Sequence, residues 1–93
     1  MQSERLMKSS VYLYFGHTLL TKGSFEDLER LGINPEVGRE LEFYDLDADD
    51  EDRPTYLCAR GVLYLEDGCW HAAVDRSSFH SVLRSEVDDV SSL

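Results

Sequence analysis

Basic residues are scarce in this chain: nine lysines and arginines stand against nineteen aspartates and glutamates, a net charge of −10. No basic stripe runs along any segment, so direct nucleic-acid binding is not expected. An anionic membrane surface would also repel the chain. Long apolar runs are missing too. The longest are about five residues, against the roughly twenty that a membrane-spanning helix needs. Met1 to Ser10 is polar and lacks the apolar centre of a secretory signal, so residence in the cytoplasm is the expectation. Cysteine is limited to Cys58 and Cys69, which would stay reduced there. Catalytic motifs are absent as well. There is no Gly-x-Ser-x-Gly elbow, phosphate-binding glycine loop or dinucleotide fingerprint. His17, His71 and His80 have no ligand spacing. A working carboxylate needs a closed apolar pocket, which a domain this small rarely builds. The expectation is a non-catalytic protein without a cofactor.

Apolar residues make up 42% of the chain, enough for a core and too many for a disordered segment. Ninety-three residues form one small domain, with 1–9 and 86–93 expected as flexible ends. The charge is uneven. Up to Glu40 six acids meet five bases, whereas from Leu41 onward thirteen acids meet four bases. The densest stretch is Asp45-Leu46-Asp47-Ala48-Asp49-Asp50-Glu51-Asp52, in which six of eight residues are acidic. Such a run is either a solvated loop or a place where something positive binds.

The remaining pattern predicts strands and one central helix. Val11 to Phe15 is rich in aromatic and β-branched residues, as strands are, and Gly16-His17 follows as a turn or bulge. Ser24 is placed to cap a helix on which Phe25, Leu28 and Leu31 share a face. Gly32 would end it in a left-handed conformation, with Ile33 folding back. Glu40 to Tyr44 alternates polar and apolar residues. The acidic run then reads as a loop closed by Arg53-Pro54.

Asp67-Gly68 is a favoured two-residue turn of type I′. Taken as the turn, it sets Glu66 opposite Cys69, Leu65 opposite Trp70 and Arg60 opposite Asp75. Leu57, Ala59, Gly61, Leu63, Leu65, Trp70, Ala72 and Val74 then share one apolar face, and a one-residue slip would destroy that segregation. The same register holds Cys58 and Cys69 roughly 25 Å apart, too far for a disulfide or a shared metal. Asp75 or Ser77 is placed to start a short C-terminal helix carrying Phe79, Val82 and Leu83. The fold class is therefore α+β: a small curled antiparallel sheet or open barrel of four to five strands. One short helix lies on the sheet and another ends the chain. The strand–helix–strand order resembles that of small barrel domains.

Three functional readings follow. The first is a protein-interaction or inhibitor-type module whose Asp45, Asp47, Asp49, Asp50, Glu51 and Asp52 engage a basic protein surface, with charge steering the encounter. The second is a divalent-cation site. Asp45, Asp47 and Asp49 have the spacing that opens an EF-hand loop, but Asp50 stands where its glycine belongs and Tyr56 where its bidentate glutamate belongs. The third is a small-ligand barrel using His71, Tyr64 and Arg60. A monomer or weak two-fold dimer through Tyr56, Val62 and Tyr64 is expected, since uncovered apolar sheet faces tend to associate.

Overall fold

The computed structural model describes residues 10–84. The expected flexible ends, 1–9 and 86–93, lie outside the described residues. Among the described residues, five strands form one mixed sheet with a single α-helix. They are β1 (Val11–Tyr12), β2 (Glu40–Ala48), β3 (Pro54–Glu66), β4 (Cys69–Val74) and β5 (His80–Leu83), and α1 spans Lys22–Leu31. The sheet order is β1-β2-β3-β4, with β5 also on β3. It is not closed into a barrel, and the α+β class stands.

The thirteen-residue β3 is the spine of the sheet. Along one side it pairs with β2, from Glu40 opposite Val62 to Ala48 opposite Pro54. Along the other side β4 and β5 lie end to end. β4 takes Gly61 to Glu66 and β5 takes Thr55 to Cys58. The β3–β4 register is the expected one, with Glu66 opposite Cys69 and Leu65 opposite Trp70. Asp67 and Gly68 have φ of 55° and 78°, the left-handed pair that a type I′ turn requires.

Three expectations need correction. First, β1 runs parallel to β2, with Val11 opposite Phe43 and Tyr12 opposite Tyr44, so the sheet is mixed rather than antiparallel. The intervening helix supplies the crossover that a parallel pair needs. Second, the C-terminal helix is replaced by a 3-10 turn, Arg76–Ser78, followed by β5. The open edge of β3 at Thr55 to Cys58 offers hydrogen bonds that a short isolated helix could not match. Asp75 does cap the turn, its carboxylate accepting from the Ser77 N–H at 3.0 Å and Oγ at 2.7 Å. That commits it to the turn rather than to an ion pair with Arg60, although the Asp75 N–H donates to the Arg60 carbonyl at 2.8 Å. Ser78 fills the gap between β4 and β5, its Oγ accepting from the Arg60 N–H at 2.8 Å and donating to the Asp75 carbonyl at 2.6 Å. Third, the helix starts one turn earlier than Ser24. Thr21 is the N-cap, and Ser24 closes a reciprocal box with it. Gly32 ends the helix at φ 70°, as expected, and the Ile33 N–H donates to the Leu28 carbonyl at 2.9 Å.

The core lies on the expected face of the sheet. Val11, Leu13, Leu20, Leu28, Phe43, Leu63 and Ala72 are buried together, with Leu41, Trp70 and Val74 packed against them. Gly61 sits beneath the Phe43 ring, where a Cβ would come within 3.0 Å of both that ring and the Ala73 carbonyl. Between β1 and α1 the chain crosses from one sheet edge to the other. The Leu13 N–H donates to the Tyr44 carbonyl at 2.9 Å. Past the turn at Phe15-Gly16, the Thr18 carbonyl accepts from the Ala72 N–H at 2.9 Å, and the Leu20 N–H donates to the Trp70 carbonyl at 3.1 Å. This strap curls the sheet around its core.

Candidate functional site

The acidic run is not a free loop. Asp45, Leu46, Asp47 and Ala48 continue β2 opposite Leu57, Tyr56, Thr55 and Pro54. Alternation along a strand sends neighbouring side chains to opposite faces and sets Asp45 and Asp47 about 6.6 Å apart along it. Only Asp49 to Arg53 turns the chain.

Asp49 builds that turn. Its carboxylate accepts from the backbone N–H groups of Glu51 and Arg53, both at 2.9 Å, and from the Arg53 guanidinium at 2.8 Å. Its own N–H donates to the Arg53 carbonyl, and the Asp52 N–H donates to its carbonyl. The Arg53 backbone N–H leads the interactions that hold the Asp49 carboxyl below the usual carboxylate range. Asp52 takes a left-handed φ of 63° to complete the turn, a conformation that aspartate tolerates better than most residues.

Asp45 is also committed. It accepts from the Phe15 N–H at 3.1 Å and the Leu46 N–H at 2.8 Å, fixing the strap to β2. The Tyr12 hydroxyl is raised above its ordinary pKa by burial and then by this carboxylate. The six acids therefore divide. Asp45 and Asp49 hold the hairpin, whereas Asp47, Asp50, Glu51 and Asp52 are exposed. Glu51 shares Arg53 with Asp49, at 3.4 Å. Leu46, 55% exposed, is an apolar side chain on the same arm. The EF-hand spacing does not produce a metal cage, because an extended strand spreads Asp45 and Asp47 instead of curling them round one ion. Among the described residues no group of three or more His, Cys, Asp or Glu side chains is arranged to hold a metal.

Behind the hairpin arm the outer sheet face carries an aromatic row. Tyr12 meets Tyr44 edge-on at 5.8 Å, and Tyr44 meets Tyr56 at 5.7 Å. The Arg84 guanidinium lies 5.5 Å from the Tyr56 ring centre and donates to the Thr55 and Asp47 carbonyls, each at 3.0 Å. Tyr56 is thus partly covered by Arg84. The helix joins the row through Asp27, which accepts from the Tyr44 hydroxyl at 3.1 Å. Burial, followed by this carboxylate, pushes the Tyr44 phenol up to about 12. Cys58, buried beneath the face, is pushed up to about 11 by burial and then by Glu42. Cys69 is exposed beside the hairpin turn, and both thiols are free.

The small-ligand candidates do not converge. Tyr64 and His71 stack at 5.2 Å, and His71 Nδ1 is 2.8 Å from Thr18 Oγ1. Arg60 stands four residues up β3 from Tyr64, about 13 Å away at the usual strand rise. A different concavity, which the sequence did not reveal, opens where the strap leaves β4. It encloses about 490 Å³ between Phe15, His17, Val74, Arg76 and Phe79. The Phe15 and Phe79 rings meet edge-on at 5.3 Å in its wall. The spacing of Phe79, Val82 and Leu83 predicts a helix, and only the place of Phe79 ahead of β5 brings it here.

No protein-family model, curated protein or solved structure matches the chain. No helix among the described residues is long and apolar enough to cross a membrane.

Proposed function

We propose that this chain is a non-catalytic protein-interaction module of the inhibitor type. Its β2–β3 hairpin tip docks on a basic surface of a partner protein. The observation that carries the reading is the division of labour within the acidic run. Asp49 and Arg53 lock the turn, so Asp47, Asp50, Glu51 and Asp52 are held at the end of a nine-pair antiparallel ladder. A preorganised array of carboxylates loses less entropy on docking than a floppy loop would, and its field speeds encounter with a cationic surface. Leu46 would supply an apolar contact among the charges. The reading includes residence in the cytoplasm, with Cys58 and Cys69 as thiols, and a free chain that is monomeric or weakly dimeric.

The test is capture from host lysate at low and high salt, with wild type beside a variant carrying Asp47→Asn, Asp50→Asn, Glu51→Gln and Asp52→Asn. Asn retains the left-handed tolerance needed at position 52, and Asp49 and Arg53 stay intact to hold the turn. A basic protein that binds wild type, weakens at high salt and is lost from the variant supports the proposal. Equal capture by both proteins at both salts overturns it.

A further inference from the structure

We infer that the groove between the strap and β4 is a binding site for a small organic carboxylate bearing an aromatic or branched apolar group. The inference is independent of the hairpin tip, which lies on other elements. Its first support is size: about 490 Å³ falls within the roughly 300–1,000 Å³ usual for small-molecule pockets.

The second support is charge. The chain is rich in acidic residues, yet among the described residues none lines this groove, while His17 and Arg76 both do. Arg39 is committed to Glu36, Arg53 to Asp49 and Glu51, and Arg84 to backbone carbonyls, whereas Arg60, outside this groove, forms no ion pair among the described residues. Arg76 forms no ion pair among the described residues. The neighbouring Asp75 carboxylate is engaged by the Ser77 N–H and hydroxyl. A free guanidinium beside apolar walls favours a carboxylate, which it grips through charge-assisted, often bidentate, hydrogen bonds.

The third support is an open backbone donor. Along β4 the Trp70 carbonyl and Ala72 N–H point outward and are taken by the strap at Leu20 and Thr18. Val74 follows in the same phase, since the Asp75 N–H points back to Arg60. The strap has turned away at Phe15-Gly16 by that point, so the outward N–H of Val74 meets no backbone acceptor among the described residues. It lies at the open end of the β4 edge, beside the groove that Val74 lines. A carboxylate held by Arg76 and this N–H would lay its apolar group against Phe15 and Phe79, whose rings already meet edge-on. The room is too short for an added strand, because β4 ends at Val74. A small molecule therefore fits better than an extended peptide.

The experiment is a titration of the ¹⁵N-labelled full chain, followed by NMR. The probes are 3-phenylpropionate, its neutral analogue 3-phenylpropan-1-ol and the cationic 3-phenylpropylamine. The expected result is saturable shifts at Phe15, His17, Val74, Arg76 and Phe79 with the carboxylate, with much weaker responses to the other two. Arg76→Gln should weaken carboxylate binding about tenfold or more while leaving the remaining spectrum in place, and Arg76→Lys should recover part of it. Equal responses to carboxylate and alcohol would overturn the inference. So would shifts centred away from the groove, an undiminished response in a folded Arg76→Gln variant, or no saturable shift at millimolar carboxylate.

Discussion

The two outer edges of the sheet are finished in different ways. At the β1 edge, the outward N–H and carbonyl of Tyr12 both meet side chains of the helix. Asp27 Oδ2 accepts from that N–H at 2.9 Å, and Ser24 Oγ donates to that carbonyl at 2.6 Å. Ser24 is fully buried to do so. At the β4 edge, backbone pairs with backbone through the strap and then stops at Val74. One edge is sealed by side chains that also cap and orient a helix. The other is sealed only as far as the strap follows it. An exposed edge is a liability for pairing with other chains, and the contrast shows where this fold leaves room for a ligand.

The largest effect should come from breaking the sealed edge. Asp27→Ala removes the acceptor for the Tyr12 N–H and the Tyr44 hydroxyl together, and should cost about 2–3 kcal/mol in urea unfolding. A loss within experimental error would mean that the helix does not hold this edge through Asp27. Amide hydrogen exchange sharpens the contrast next. The Ala72 and Leu20 amides, bonded across the strap, should exchange about a hundredfold more slowly than the Val74 amide. Equal protection at the three sites would remove the open donor from the β4 edge.

Alkaline titration probes the sealed edge more gently. The Tyr44 phenol is raised from an ordinary 10 to about 12. The folded state holds that proton more tightly, so the associated stability is fully present below pH 10 and fades as pH rises toward 12. Urea midpoints should fall across that window, and Tyr44→Phe should flatten the fall. The smallest effect belongs to the hairpin tip. The Asp49 carboxyl is held below its usual range, so its contribution is present near neutrality and is lost as pH drops below about 4. Local exchange at the Glu51 and Arg53 amides should quicken there, beyond the intrinsic pH trend, while β3 keeps its relative protection.

Local chemistry made the β3–β4 hairpin legible from sequence. Asp67-Gly68 named the turn, and alternation on both arms fixed which face is buried. Gly32 and Ile33 marked the helix end for the same reason. The helix start was off by one turn because Thr21 and Ser24 are both good caps, and only burial against Tyr12 decides between them. Phe79, Val82 and Leu83 have helical spacing, but a vacant stretch of β3 edge overrides it, and no local pattern reports that vacancy. The acidic run was visible as a charge cluster. Its split into two structural and four exposed carboxylates was not, because Asp45 depends on Phe15, thirty residues away. The groove was hidden altogether, since His17, Val74 and Arg76 meet only through the strap's divergence from β4.

The long central strand has a consequence for how the molecule comes apart. β3 carries β2 on one side and both β4 and β5 on the other, and Phe43 from β2 packs in one core with Leu63 and Ala72. Among the described residues, no cut separates two groups of strands that could each keep a core without β3. Unfolding should therefore be all-or-none, with Trp70 fluorescence and the circular dichroism of the tyrosine row reporting a single shared transition.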